Sequence, residues 1–330
     1  MSELRARVIS QEKGLYKISN GTEVKSASVS GKYRYGAQTV SDYPAVGDYV
    51  IAEWQEGDSN AVIMELFPRK SCFIRKSAGK DKQEQVVAAN IDIVFICMSL
   101  NRNFNLRRLE RYLSIAYDSG AIPVIVLTKS DICPDVEAKI REVENIAQGA
   151  DVLAISSLAG DYEAVMKYIL SGKTVAFIGS SGVGKSTLIN KLIGKDSLAT
   201  HEIGNEDKGR HTTTHRELIA LRNGAFVIDT PGMRELGMWD SGDGIDIAFA
   251  DIEELAQKCK FSDCRHMAEP GCAVLKAVEE GKLDAARLES YRKLKAENKY
   301  AADNSRYLEA KRTKFKEIAK LNKSNRANRH

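Results

Sequence analysis

No apolar run in the chain approaches the roughly 18 residues that a membrane-spanning helix needs. The first residues, Met1-Ser-Glu-Leu-Arg-Ala-Arg7, lack the apolar core of a secretory signal. Neither a membrane partner nor export is expected, and the reading is cytoplasmic. Cysteine is sparse: six residues (72, 97, 133, 259, 264, 272) are too few and too scattered for a disulfide scaffold. Cys97 sits in an apolar run, as a small core residue would. Excess charge is also missing, since a net of +4 cannot by itself argue for nucleic acid. What is present is an ordinary globular mixture, 43% apolar and 28% charged. Its 330 residues usually divide into two or three domains.

Helical periodicity is absent from residues 1–68. Short strand-like segments take its place, at Ala6–Ser10, Gly14–Ser19, Glu23–Ser30, Asp48–Trp54 and Ala61–Phe67, with glycines between them. Five short strands in this length predict a small closed barrel of the OB type, an architecture that often binds oligonucleotides. Residues 69–88 then read as a mobile linker, and Arg69, Lys70, Arg75, Lys76, Lys80 and Lys82 make it basic. A barrel without a ligand is the plainer reading; the basic stretch favours nucleic-acid contact.

From residue 89 to 238 the texture changes. Ile91–Cys97, Ile122–Leu127, Val152–Ser156 and Thr174–Ile178 are apolar, β-branched runs, as strands buried on both faces would be. Helical segments at about 105–118, 135–147 and 161–171 separate them, and strand candidates at 216–221 and 225–229 close the region. Alternation of this kind predicts a mainly parallel α/β sheet.

The run Gly179-Ser180-Ser181-Gly182-Val183-Gly184-Lys185-Ser186-Thr187 matches the phosphate-loop pattern G-x4-G-K-[ST], after a predicted strand and at the start of a predicted helix. The glycines let backbone amides turn toward phosphates, and the helix N-terminus adds partial positive charge. Lys185 should neutralise the β- and γ-phosphates and Ser186 should hold Mg²⁺. Asp229-Thr-Pro-Gly232 follows a strand, 44 residues after Lys185. There Asp229 can reach Mg²⁺ through water, and the Gly232 amide can meet the γ-phosphate. Between them, Gly209-Arg-His-Thr-Thr-Thr-His215 reads as a switch loop, with Thr213 as the expected magnesium ligand.

At two successive strand ends before the phosphate loop, two segments address the base. Thr128-Lys129-Ser130-Asp131 resembles the Asn-Lys-x-Asp motif of GTPases, with threonine in the asparagine's place. Asp131 would accept two hydrogen bonds from guanine, which adenine cannot offer, and the Lys129 stem would pack on the ring. Ser156-Ser157 is similar to the short segment whose backbone meets guanine O6. These motifs ordinarily follow the phosphate loop. Here they precede it, which predicts a circularly permuted P-loop GTPase domain binding GTP and GDP.

Residues 239–330 read as helical, with segment 246–258 and a long run from 283 in which Leu283, Leu288, Tyr291 and Leu294 lie near one face. Between these helices, Cys259, Cys264, His266 and Cys272 offer four soft ligands, a closed set suited to one structural Zn²⁺ per chain. Beyond 310, eight Lys or Arg face the single acid Glu317. That tail suits a phosphate backbone, and a solvated helix end suits it equally.

A small barrel, a permuted GTPase and a Cys-Cys-His-Cys domain together resemble the ribosome small-subunit-dependent GTPase A family (RsgA/YjeQ). The residues that carry the likeness are Thr128–Asp131, Gly179–Thr187, Gly209–Thr214, Asp229–Gly232 and Phe261–Val274. The resemblance implies GTP hydrolysis stimulated by the small ribosomal subunit, rRNA binding, and a role in late maturation of that subunit, by a monomer. Met233 stands where many GTPases place a water-orienting glutamine. His211 is the substitute within reach of the switch region, and the resemblance supports the same catalytic choice. Two other readings use some of the same residues: a P-loop ATPase or kinase acting on a small molecule, and an RNA-binding module without useful hydrolysis.

Overall fold

The computed structural model describes residues 2–12, 14–54, 60–76, 84–147, 149–156, 160–193, 217–229 and 242–300. The first five strands are β1 (Ser2–Glu12), β2 (Leu15–Ser19), β3 (Val24–Val29), β4 (Tyr49–Trp54) and β5 (Asn60–Leu66), with the short helix α1 (Gly31–Gly36) after β3. Alternate side chains point inward, as the period of two requires: Ala6 and Val8, Tyr16 and Ile18, Val50, Ala52 and Trp54 share one buried core. The strands pair in the order β1-β2-β3-β5-β4, and β4 returns to β1, so the expected barrel closes. Only β3 and β5 run parallel within it.

A bulge in β1 between Val8 and Ser10 bends that strand out of the barrel. Its far end then pairs with a strand of the next region, Ser10 opposite Glu217. Arg7 reinforces this junction. Its guanidinium lies between the Tyr49 and Phe226 rings, 4.9 and 4.8 Å from their centroids, and Nη2 donates to Thr174 Oγ1 at 2.6 Å.

The described residues of the expected linker at 69–88 form a strand pair instead. Its members are β6 (Cys72–Lys76) and β7 (Glu84–Ala89), paired antiparallel, with Phe73 and Val87 buried. Arg69 is not offered to a nucleic acid. It forks onto the fully buried Asp48 at 3.0 and 2.8 Å and donates to the Ser41 and Tyr43 carbonyls. The abundance of lysine and arginine hid a strand whose inward positions are apolar.

The next region runs β8 (Ile93–Ser99), α2 (Leu106–Ser119), β9 (Ile122–Thr128), α3 (Val136–Ala147), β10 (Asp151–Ile155), α4 (Glu163–Met166), β11 (Thr174–Ile178), α5 (Lys185–Ile193), β12 (Glu217–Ala220) and β13 (Phe226–Asp229). Strands β10-β9-β8-β11-β13 are parallel and β12 is antiparallel beside β13. Successive residues serve opposite faces: Ile96 and Met98 join Leu109, Leu113 and Ile125 on one side, while Phe95 and Cys97 join Val124, Phe177 and Leu188 on the other. Burial on both faces is why these strands show no polar alternation. The helix expected at 161–171 is a single turn, and the chain soon reverses at Gly172, whose φ is +76°.

The last region contains α6 (Gly242–Ala248), α7 (Ala250–Ala256), α8 (Ala273–Glu279) and a helix α9 over 285–300. The expected helix at 246–258 is broken at Phe249 (φ −120°, ψ 35°), whose ring is fully buried. This region docks on α2 through a buried ion network. Arg287 donates to Glu110 at 2.9 Å and to Asp251 at 2.6 and 2.8 Å, and Arg107 donates to Glu110 at 2.6 Å. Burial pushes the Glu110 carboxyl above its usual range, against the pull of the two guanidiniums. Removing one partner strands the other charge. Arg287→Ala should therefore cost about 3–5 kcal/mol in urea unfolding of the full chain. Arg107→Ala, whose side chain is 31% exposed, should cost under about 1 kcal/mol.

Candidate functional site

The segment Gly179–Gly184 leaves β11 and turns into α5, whose first residue is Lys185. Gly179 has φ +141°, and a Cβ there would lie 2.3 Å from the Cys97 carbonyl oxygen of β8. No other residue fits so close to the neighbouring strand. Lys185 Nζ donates to the Gly179 and Ser180 carbonyls at 2.6 Å each, which holds the loop in a curve around its own ammonium. Ser186 follows, half-buried, in the first turn of α5. The amides at that helix end have no intrahelical acceptors, so the loop and helix together form a cradle for an anion.

The segments expected to read the base meet this cradle directly. Thr128 ends β9 and donates its hydroxyl to the Val183 carbonyl at 2.5 Å. Threonine thereby ties the end of β9 to the loop. Lys129 follows in the left-handed region (φ 62°, ψ 40°), which turns the chain into the short helical turn Ser130–Ile132 and sets Asp131 beyond the strand end. Ser156, at the end of the neighbouring β10, donates to Asp131 Oδ1 at 2.6 Å. Sequence reading gave Ser156 only a backbone role; its buried hydroxyl orients the carboxylate.

Asp229 ends β13, paired with Glu217 of β12, and its backbone alone is described. Ser157, His211, Thr213 and Gly232 lie outside the described residues, as does the basic tail beyond 310.

In the C-terminal region Cys259, Cys264, His266 and Cys272 bring four ligand atoms within 4.8 Å of one another. Cys259 Sγ lies 3.9 Å from Cys272 Sγ and 3.6 Å from His266 Nδ1, and Cys272 Sγ lies 3.4 Å from the same nitrogen. A tetrahedron with Zn–S near ~2.3 Å and Zn–N near ~2.0 Å has edges of about 3.8 and 3.5 Å, so the donor set fits this metal. Burial holds the His266 imidazole below its ordinary pKa, in the neutral form that ligates.

One supporting residue escaped sequence reading. Glu269 accepts from the Arg265, Met267 and Ala268 amides at 3.0, 2.7 and 3.0 Å, which shapes the loop around His266. Those amides, with its own, bring its carboxyl down to about 2. An acid three residues after a ligand histidine was the available signal.

A family model described as RsgA GTPase matches residues 66–239. The chain belongs to the RsgA GTPase family. GTP hydrolysis is accordingly its chemistry, in preference to a small-molecule kinase or an inert binding module. A relative from Lactiplantibacillus plantarum, named small ribosomal subunit biogenesis GTPase RsgA 2, is 49% identical over 93% of this chain and 87% of its own length. The similarly named protein of Methanosarcina acetivorans is 42% identical over 88% and 78%. Among solved structures, YjeQ from Thermotoga maritima superposes with a TM-score of 0.68 at 27% identity, covering 90% of this chain and 99% of that one. YloQ, titled a circularly permuted GTPase, gives 0.65 at 28%, covering 90% and 96%. This RsgA-family chain has the same permuted order: β9 and β10, which carry the segments expected to read the base, precede β11 while sharing its sheet. Among the described residues no helix is long and apolar enough to cross a membrane.

Proposed function

We propose that this chain hydrolyses GTP under control of the small ribosomal subunit, in late maturation of that subunit. The names of its relatives support the partner. The observation that carries the nucleotide reading is the Thr128–Val183 bond, which makes base-reading and phosphate-reading segments one unit. In this reading Asp131, oriented by Ser156, accepts the guanine edge, Lys129 packs on the ring with Ser130 and Ser157 beside it, and Gly179–Thr187 cradle the phosphates. Ser186, Thr213 and Asp229 are oxygen donors fit to hold Mg²⁺, whose chemistry there is to neutralise phosphate charge. The Gly232 amide meets the terminal phosphate. Cys259, Cys264, His266 and Cys272 hold one Zn²⁺.

Three domains divide the work: the barrel (1–68) and the zinc-binding domain with its basic extension (239–330) contact rRNA, and the permuted GTPase (89–238) times release. The protein acts as a cytoplasmic monomer. GTP orders the switch segments and favours the bound state; hydrolysis releases it.

His211 positions the attacking water where Met233 cannot. Steady-state GTP hydrolysis with and without purified small subunits tests this reading. Subunits should raise the wild-type rate strongly, and His211→Ala should lose on the order of 10²-fold of the stimulated rate with GTP affinity nearly unchanged. A wild type indifferent to subunits defeats the partner; a fully stimulated variant defeats His211.

A further inference from the structure

Three arginines of α2 point in different directions. Arg107 bonds Glu110 and Asp284 at 2.6 and 3.1 Å, and Arg111 bonds Glu297 at 2.8 Å. Arg108, between them, turns to the phosphate loop. Its Nη1 donates to Ser180 Oγ at 3.3 Å, and among the described residues it has no carboxylate partner. It is half-buried. A guanidinium always carries its charge, and one partly withdrawn from water is costly to leave without a counter-charge. The same residue draws a second cation, since Lys185 Nζ lies 2.6 Å from the Ser180 carbonyl. Two positive groups converging on one loop residue repel unless an anion joins them.

The loop also has a direction. Its Val183–Gly184 half lies against Thr128, with the hydroxyl bond at 2.5 Å, and a Cβ added at Gly184 would lie 3.9 Å from the Thr128 side chain. That half is therefore next to the base-reading strand end. Ser180 is at the opposite end of the loop. A nucleotide laid from Asp131 across the cradle brings its last phosphate, not its first, toward Ser180 and Arg108.

We infer that Arg108 binds the terminal phosphate of GTP, as an arginine supplied from within the chain. The inference rests on the assignment of Gly179–Thr187 to the phosphates. In hydrolysis the water oxygen bonds to the γ-phosphorus while the bond to the β–γ bridging oxygen breaks, that electron pair leaves on GDP, and the water's protons go to the released phosphate and the solvent. Arg108 gives up no proton. It stabilises the negative charge that gathers on the terminal and bridging oxygens.

The test compares fluorescent GDP and a non-hydrolysable GTP analogue on the full chain, together with single-turnover hydrolysis. Arg108→Gln should weaken the GTP analogue about tenfold or more and slow hydrolysis on the order of 10²-fold, with GDP affinity within about twofold. Arg108→Lys should fall between the two, because it keeps the charge without the fork. Arg107→Ala, on the same helical turn, should discriminate GTP from GDP as the wild type does. Equal loss of GDP and GTP-analogue affinity would reduce Arg108 to a prop for the loop, and unchanged binding and rate would remove it from the site; either overturns the inference. Thermal melting checks folding, and if the glutamine variant does not fold, Arg108→Lys carries the same readouts. Lys185→Ala separates the two levels. If it leaves GDP affinity intact, the phosphate-loop assignment fails, whatever Arg108 does.

Discussion

Asp131→Asn should turn the protein from a guanine binder into a xanthine binder. The carboxylate would accept two hydrogen bonds from guanine, and bonds to a charged group contribute about 1.5–3 kcal/mol each. Losing both lowers GTP affinity by about 10²–10⁴-fold. Xanthine carries a carbonyl where guanine carries its amino group, so the asparagine amide regains a bond there. Asp131 can spare the contact it already makes, because a carboxylate has about four acceptor positions and Ser156 occupies one at 2.6 Å. Competition of GTP, XTP and ATP against a fluorescent nucleotide measures the exchange. A wild type that binds ATP as tightly as GTP would end the guanine assignment.

Loss of the metal should be the most damaging single change to the C-terminal region. The protein as purified is expected to carry one Zn²⁺ per chain, and closed sites of this ligand set contribute apparent folding free energies of about 10–16 kcal/mol in isolated fingers. Here the cluster is also a packing node. Cys272 caps α8 by accepting from the Leu275 amide at 3.4 Å, and the His266 ring lies 6.4 Å from that of Tyr291 on α9. Cys264→Ser should lower the zinc content and speed amide exchange through 259–300, while α2 and the parallel strands keep their protection. Metal analysis that finds no zinc in unchelated protein would rule the centre out.

Contiguous features were the legible ones. Gly179–Thr187 is a continuous run, and its pattern and predicted strand–loop–helix setting were both readable; β11 and α5 flank it as expected. The strands of the parallel sheet were visible because burial on both faces demands unbroken apolar runs such as Val94–Met98. Features that depend on tertiary partners were not. The strand Cys72–Lys76 alternates only once Phe73 has a core to enter, and a reading by charge saw a linker. Thr128 looked like a flaw in a motif, since the Val183 carbonyl it bonds is 55 residues away. Arg108 is one of several arginines on a helix, and only the return of the chain 72 residues later gives it Ser180. Asp131 and Ser156, by contrast, were both singled out in the sequence, although the bond between them was not.

The shared strand β1 imposes an order in time. All five barrel strands are complete by residue 66, so the barrel can close soon after it leaves the ribosome that makes it. The outer end of β1 cannot find its second partner until Glu217 is synthesised, about 150 residues after Leu66 completes the barrel. At about 5–20 residues per second that interval lasts about 8–30 s. Through that time Arg7 has the Tyr49 ring but not yet Phe226, Thr174 arrives only in its last third, and the edge of β1 stands open. During its own translation, this family member passes through a stage in which its first domain is finished and waits for a docking site.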